Sequence, residues 1–218
     1  MKLLFVGSSS SISQIIEKHL KRKITTISSK KIKSKNHFTL KSYSPKDISV
    51  LVNKLKRKNE KFDTVVFFNG FHKSSTLTFF DKKIFNKIIK INITVPMQIT
   101  SKFIKNDLLN KTCSIIYIGS IAAELNEIGN AYYSMAKSLL PKCIRILSKE
   151  QKNKYRFNIL SLGLVKNKMS EDLIKNTLGV YNNKKFVNNK NLINKFKKII
   201  NNKKINGSII KEYGGYND

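Results

Sequence analysis

With 218 residues, 40% of them apolar and including 13 Phe and 8 Tyr, the chain has the material for one domain with a sizeable core and is not a disordered polymer. Lys and Arg number 43 against 13 acidic residues, a formal charge of +30, which favours phosphorylated ligands and polyanions. The lysines are spread through every segment among Asn and Ile, with no zinc finger, recognition helix or aromatic–basic module, so no specific nucleic-acid partner is expected.

The apolar start stops at Gly7, too short for a secretory leader or a membrane span, so no membrane insertion is expected. Cys113 and Cys143 have neither CxxC nor ligand spacing, which points to free thiols and a cytoplasmic protein. His19, His37 and His72 are too scattered for a metal triad, and metal-dependent catalysis is not expected.

Short apolar runs alternate with longer amphipathic ones along the whole chain. That is the pattern of an α/β fold, a parallel sheet with helices on both faces. Strands are expected at 2–6, 24–27, 64–68, 114–119, 157–161 and 208–211, with a weaker one near 38–40. Helices are expected at about 12–21, 46–59, 81–105, 131–149 and 190–201, with Pro141 bending the fourth long one. A single domain, 1–218, is expected. The polar stretch 166–189 reads as a short lid over a pocket.

The first strand runs directly into Gly7-Ser8-Ser9-Ser10-Ser11-Ile12-Ser13, which opens the first helix. A tight turn there aims backbone N–H groups and the positive helix end at an anion. Gly7, Ser9, Ser10, Ser11 and Ile12 are therefore candidate phosphate-binding residues, although only Gly7 remains of the glycines a dinucleotide turn usually carries. The second strand ends in Ile27-Ser28-Ser29-Lys30-Lys31, with no acidic residue between Lys18 and Lys46. An acidic side chain there would accept from an adenosine ribose, whereas a basic one neutralises a 2′-phosphate. Ser29 and Lys30 thus favour NADP(H), with NAD(H) as the alternative.

Tyr133 and Lys137 are four apart in AYYSMAKSLL and leave one helix face together. A cation beside a phenol favours the phenolate, so the expectation is a Tyr133 proton released nearer neutrality than usual. Ser120 ends the apolar run CSIIYIGS, at a strand end that opens into a site. These three residue types suit the transfer of a proton to a substrate oxygen.

With Ser120, Tyr133 and Lys137 placed, the chain resembles the short-chain dehydrogenase/reductase family over essentially its whole length. The turn Gly7 to Ser13 resembles that family's glycine-rich turn, with Ser11 and Ser13 where glycines are usual. Phe67-Phe68-Asn69-Gly70 stands where the family has Asn-Asn-Ala-Gly, making Asn69 and Gly70 candidate cofactor contacts. Asn92 falls at the helix asparagine that completes the family's tetrad. The run from Asn158 to Val165 resembles the stretch past the nicotinamide, with Gly163 and Val165 as candidate contacts, Leu162 replacing a proline and Asn167 a threonine. Gly214-Gly215 resembles the family's closing pair, with Tyr213 where Asp is frequent.

The resemblance implies a Rossmann-like, doubly wound domain that transfers hydride between NADP(H) and a carbonyl or secondary alcohol. It assigns Tyr133 as general acid and base and Ser120 as the donor that orients the oxygen. Lys137 would lower the Tyr133 pKa and bind the nicotinamide ribose, while Asn92 would hold a water that relays its proton. Tyr133 and Lys137 count as cofactor contacts as well. The resemblance also implies a homodimer or homotetramer through the helices at 81–105 and 131–149. Substrate-facing segments are expected at 71–78, 121–130 and 166–180, and the positive charge leans toward an anionic substrate. Glu124 and Glu127, in the loop after Ser120, read as surface residues. The altered glycine turn keeps a second reading open, a catalytically impaired relative serving as a cofactor-binding sensor or scaffold.

Overall fold

A computed structural model of the chain describes residues 1–20, 22–31, 36–125, 127–167, 169–171, 174 and 185–215. Its strands are β1 (Leu3–Val6), β2 (Ile24–Ser28), β3 (His37–Thr39), β4 (Phe62–Phe67), β5 (Leu109–Ser120), β6 (Tyr155–Leu162) and β7 (Ile209–Glu212). They form one sheet in the order β3-β2-β1-β4-β5-β6-β7, and every pairing is parallel. The chain builds outward from β1 to β3 and then returns to β4 on the other side of β1. That reversal opens a crevice at the carboxyl ends of β1 and β4.

Helices α1 (Ser11–Leu20), α2 (Pro45–Arg57), α3 (Lys82–Ile89), α4 (Val95–Lys105), α5 (Ala131–Glu150) and α6 (Asn189–Asn201) complete the fold. Strand periodicity decides which helix covers which face. Leu3 and Phe5 of β1 pack with Ile16 and Leu20 of α1 and with Leu192 and Phe196 of α6. Leu4 and Val6 point the other way, to Leu51 and Leu55 of α2, Ile99 and Phe103 of α4, and Leu140 and Ile144 of α5. Both faces are therefore buried, and so β1 reads as an unbroken apolar run. A fully buried side chain such as Phe196 contributes roughly 1.5–3 kcal/mol.

Local signals set the helix starts. Pro45 occupies the first turn of α2, and the Ser44 hydroxyl accepts the Asp47 N–H at 3.1 Å. Asn188 caps α6 by accepting from Lys190 and Asn191. α5 continues through Pro141.

Two expectations need adjusting. The helix expected over 81–105 is interrupted by a π-helical turn, Lys90–Thr94, between α3 and α4. β5 begins five residues earlier than its apolar run suggests, because Asn110, Lys111 and Thr112 join it with half-buried or exposed side chains. Much of the stretch expected to form a lid lies outside the described residues, among them Leu173, Leu178 and Val180. Among the described residues no helix is long and apolar enough to cross a membrane.

Candidate active site

A cleft of about 640 Å³ lies at the carboxyl ends of the central strands. At one end it is lined by Gly7, Ser9, Ser10, Ser11 and Ile12, with Ser29 and Tyr43 beside them. Asn69 and Gly70, after β4, line the wall next to them, and Ser120, Tyr133, Lys137, Gly163 and Val165, at the ends of β5 and β6 and on α5, line the far side. Residues scattered from 7 to 165 in the chain thus meet in one cavity.

The turn after β1 is held tightly against the sheet. Gly7 and Ser8 donate their N–H groups to the Ile27 carbonyl at 2.8 and 3.1 Å, and the Ser10 hydroxyl accepts from Ser13 N–H at 3.1 Å. Gly7 has φ +79°, and a Cβ there would lie 2.7 Å from the Asn69 nitrogen. Glycine is required on both counts. Its missing side chain lets the start of α1 sit against the end of β4, and Ser9, Ser10 and Ser11 present the helix's positive end to the cleft. The residues present fit a dinucleotide phosphate despite the absence of further glycines.

Lys30 does not line the cleft; its carbonyl accepts from the Ser28 hydroxyl and from His37. Ser29 lies on the wall with Tyr43, whose phenol pKa is raised by burial.

At the other end, Ser120 closes β5, and its hydroxyl accepts from Ala122 N–H at 3.2 Å. Tyr133 and Lys137 come from the first turns of α5, with the Lys137 Nζ 5.5 Å from the centre of the Tyr133 ring. Lys137 is 3% exposed and donates to the Ile118 carbonyl at 3.0 Å. Burial pulls its pKa down to about 8. Burial pushes the Tyr133 phenol up to about 12, opposed by its hydrogen bond with Ser120 and reinforced by the charge of Glu127. The expectation of a lowered phenol is therefore reversed, because desolvation of the anion outweighs the help that Ser120 gives it.

Asn92 is 2% exposed and lies within the π turn, behind the cleft wall. Its amide donates to the carbonyls of Phe71 at 2.8 Å and Ile88 at 2.9 Å, tying the loop after β4 to the helix. Its Oδ1 is buried without a partner among the described residues.

Of the side chains expected to face the substrate, Phe71, Ile121 and Met169 line the cleft. Leu125 does not, Ile128 is 67% exposed, and Leu173 lies outside the described residues. His72, within the segment 71–78 expected to face the substrate, is on the wall, and so are Tyr43, Lys87 and Ile91, which the sequence reading did not place there. Glu127 is corrected from the surface to the interior, at 7% exposure. Glu124 is partly exposed and accepts from Lys211 and Tyr213, both at 2.8 Å.

A doubly wound parallel sheet with these residues gathered at its switch point defines a dinucleotide-binding α/β protein. A family model described as enoyl-(acyl carrier protein) reductase matches residues 8–194. The chain belongs to the short-chain dehydrogenase/reductase family, oxidoreductases that work with NAD(P).

It is 26% identical over 132 residues to a curated protein, the 3-oxoacyl-[acyl-carrier-protein] reductase FabG of Buchnera aphidicola subsp. Schizaphis graminum. That match covers 59% of this chain and 54% of the relative, so the chain spans about half the length of the curated relative it matches. Among solved structures, a short chain dehydrogenase family protein of Francisella tularensis subsp. tularensis SCHU S4 superposes with a TM-score of 0.83 at 17% identity, covering 99% of this chain and 98% of that one. BdcA in complex with NADPH gives a TM-score of 0.79 at 15% identity, over 99% and 93% of the two chains. A short chain dehydrogenase of Leptospira borgpetersenii serovar Hardjo-bovis with bound NAD+ gives 0.81 at 17%, over 100% and 92%. At these identities the structures speak for the fold.

Proposed function

We propose that the chain is an NADP(H)-dependent reductase of a carbonyl compound, with Tyr133 as its general acid in reduction and its general base in oxidation. The observation that carries this reading is the convergence of Ser120, Tyr133 and Lys137 at one end of a cleft whose other end is a glycine-closed helix start. Ser9, Ser10, Ser11 and Ile12 would hold the phosphates, Ser29 the adenosine ribose or its 2′-phosphate, Asn69 and Gly70 the middle of the molecule, and Gly163 and Val165 the nicotinamide side. The nicotinamide, when bound, supplies or takes up the hydride.

The chain's own part is proton and charge handling. The Ser120 hydroxyl orients the carbonyl oxygen and stabilises charge as it grows there. Tyr133 keeps its proton at neutral pH, the form a donor needs. Lys137, brought to about 8 by burial, exchanges a proton near neutrality and can restore the phenol. Asn92 holds the loop carrying Gly70 and Phe71 in place.

Among the described residues Lys87 and Lys137 are on the wall and no carboxylate is, which supports an anionic substrate. A 3-oxoacyl thioester fits that chemistry and the name of the curated relative. Met135, Leu139 and Ile146 are exposed apolar side chains on α5, which supports a homodimer or homotetramer through that helix. A cytoplasmic setting agrees with the free thiols of Cys113 and Cys143.

The test is NADPH oxidation with acetoacetyl-coenzyme A, compared between the wild type and Tyr133→Phe. Loss of about 100-fold or more in kcat with retained NADPH binding is expected. Equal turnover by the variant would reject Tyr133, and NADPH binding without turnover on any carbonyl would favour a sensor or scaffold.

A further inference from the structure

The loop between β5 and α5 buries a carboxylate beside the cleft. Glu127 is 7% exposed, and its Oε1 has no hydrogen-bond partner among the described residues. Its Oε2 accepts from the Asn130 amide at 2.6 Å. Asn130 is fully buried at the boundary of α5, yet its side chain makes no cap hydrogen bond to that helix. Its Oδ1 instead meets His72 Nε2 at 3.1 Å.

This chain of contacts has only one consistent direction. A carboxylate can only accept, so the Asn130 NH2 must face Glu127 and its oxygen must face His72. A ring nitrogen opposite a carbonyl oxygen must donate, so His72 carries a proton on Nε2. The Asn130 contact thus constrains the imidazole's orientation. The imidazole meets the Tyr133 ring edge-on, with centroids 5.1 Å apart and planes at 88°. Both rings line the cleft.

Holding the two loops together does not need these side chains. Ser75 N–H already donates to the Gly129 carbonyl at 2.9 Å, and Ser75 and Asn130 form a backbone bridge. A buried carboxyl group with one oxygen unpartnered among the described residues is unfavourable for stability, which points to a role in the site.

We propose that Glu127, Asn130 and His72 form a positioning relay for Tyr133, with the buried carboxylate setting the imidazole that holds the phenol toward Ser120. The proposal rests on the reading of Tyr133 as the proton donor. His72 is a positioning residue, acting through the tyrosine.

The experiment uses the full chain with ring-13C tyrosine and 15N histidine, as wild type, His72→Ala and Glu127→Gln. The Tyr133 resonance is identified by its loss in Tyr133→Phe. His72→Ala is expected to move that resonance and to lower kcat on acetoacetyl-coenzyme A about 10- to 100-fold, with NADPH affinity unchanged. Glu127→Gln lets the Asn130 amide take either orientation, so the His72 nitrogens should report mixed tautomers and the Tyr133 resonance should move again. A Tyr133 resonance unmoved in His72→Ala would overturn the relay, as would an unchanged His72 tautomer and Tyr133 signal in Glu127→Gln. A wild type inactive on the thioester would count against the reductase reading; the tyrosine resonance would still decide this one.

Discussion

The Lys137 ammonium lies 5.5 Å from the centre of the Tyr133 ring, and burial drives the two groups in opposite directions, the lysine down to about 8 and the phenol up to about 12. Below about pH 8 the lysine is protonated both folded and unfolded, and the folded state bears the full cost of burying the cation. Between about 8 and the ordinary 10.5 the unfolded chain binds more protons, so stability should rise with pH. The phenol takes over at the top of that window: from its ordinary 10.0 up to about 12 the folded state holds its extra proton, so that contribution should fall with pH.

Lys137→Met should therefore stabilise the cofactor-free protein near neutral pH, by up to about 3 kcal/mol, and flatten the rise above pH 8. Urea unfolding of both proteins across that range measures it. A wild-type curve with no rise would mean that the ammonium is better solvated than its burial implies.

The Gly7 turn should tolerate no side chain. In Gly7→Ala the φ of +79° and a Cβ 2.7 Å from the Asn69 nitrogen act together. The left-handed backbone alone costs roughly 1–2 kcal/mol, and relief of the contact must separate α1 from β4. Calorimetric titration with NADPH should show affinity lost by more than tenfold, alongside a lower melting temperature. Unchanged binding would place the dinucleotide elsewhere in the cleft.

Much of this architecture was legible because parallel strands buried on both faces carry continuous apolar runs, as β1 does along its whole length and β4 does over Val65–Phe67. Tyr133 and Lys137 were legible because helical spacing alone places them together. Other features rest on contacts that no local pattern records. The π turn at Asn92 leaves the apolar stripe on either side intact, so periodicity continues across it. Glu127 sits in a polar loop, and only Asn130 and His72, the latter more than fifty residues away in the chain, make its burial intelligible. The Tyr133 pKa was misread for a related reason: the sequence displays the neighbouring cation but not the degree of desolvation.

Cofactor choice should depend on Ser29 more than on Lys30, because Ser29 lines the cleft and Lys30 does not. A carboxylate at the wall would repel a 2′-phosphate and accept from a free ribose hydroxyl. Ser29→Asp should therefore weaken NADPH binding by about tenfold or more, roughly 1.4 kcal/mol, while sparing NADH. Lys30→Ala should change the NADPH/NADH ratio less. Fluorescence titration of both cofactors distinguishes the two, and a larger effect from Lys30 would show that its side chain swings into the cleft on binding.

Arg156, far from the cleft on β6, should prove the costlier residue for stability. The residue is 7% exposed, and its guanidinium donates to the carbonyls of Ile199, Asn202 and Ile205 at 3.0–3.1 Å, with longer bonds to Ile200 and Thr112. It thus satisfies the end of α6 and the chain beyond it, where the helix dipole favours a cation. Arg156→Met leaves several of these carbonyls buried without donors and should cost about 3 kcal/mol or more. Arg156→Lys should recover only part of that, since one ammonium cannot span the fork of acceptors. Urea unfolding gives the loss. NADPH affinity of the folded fraction at low temperature should stay unchanged, because the break lies at the opposite end of β6 from Gly163.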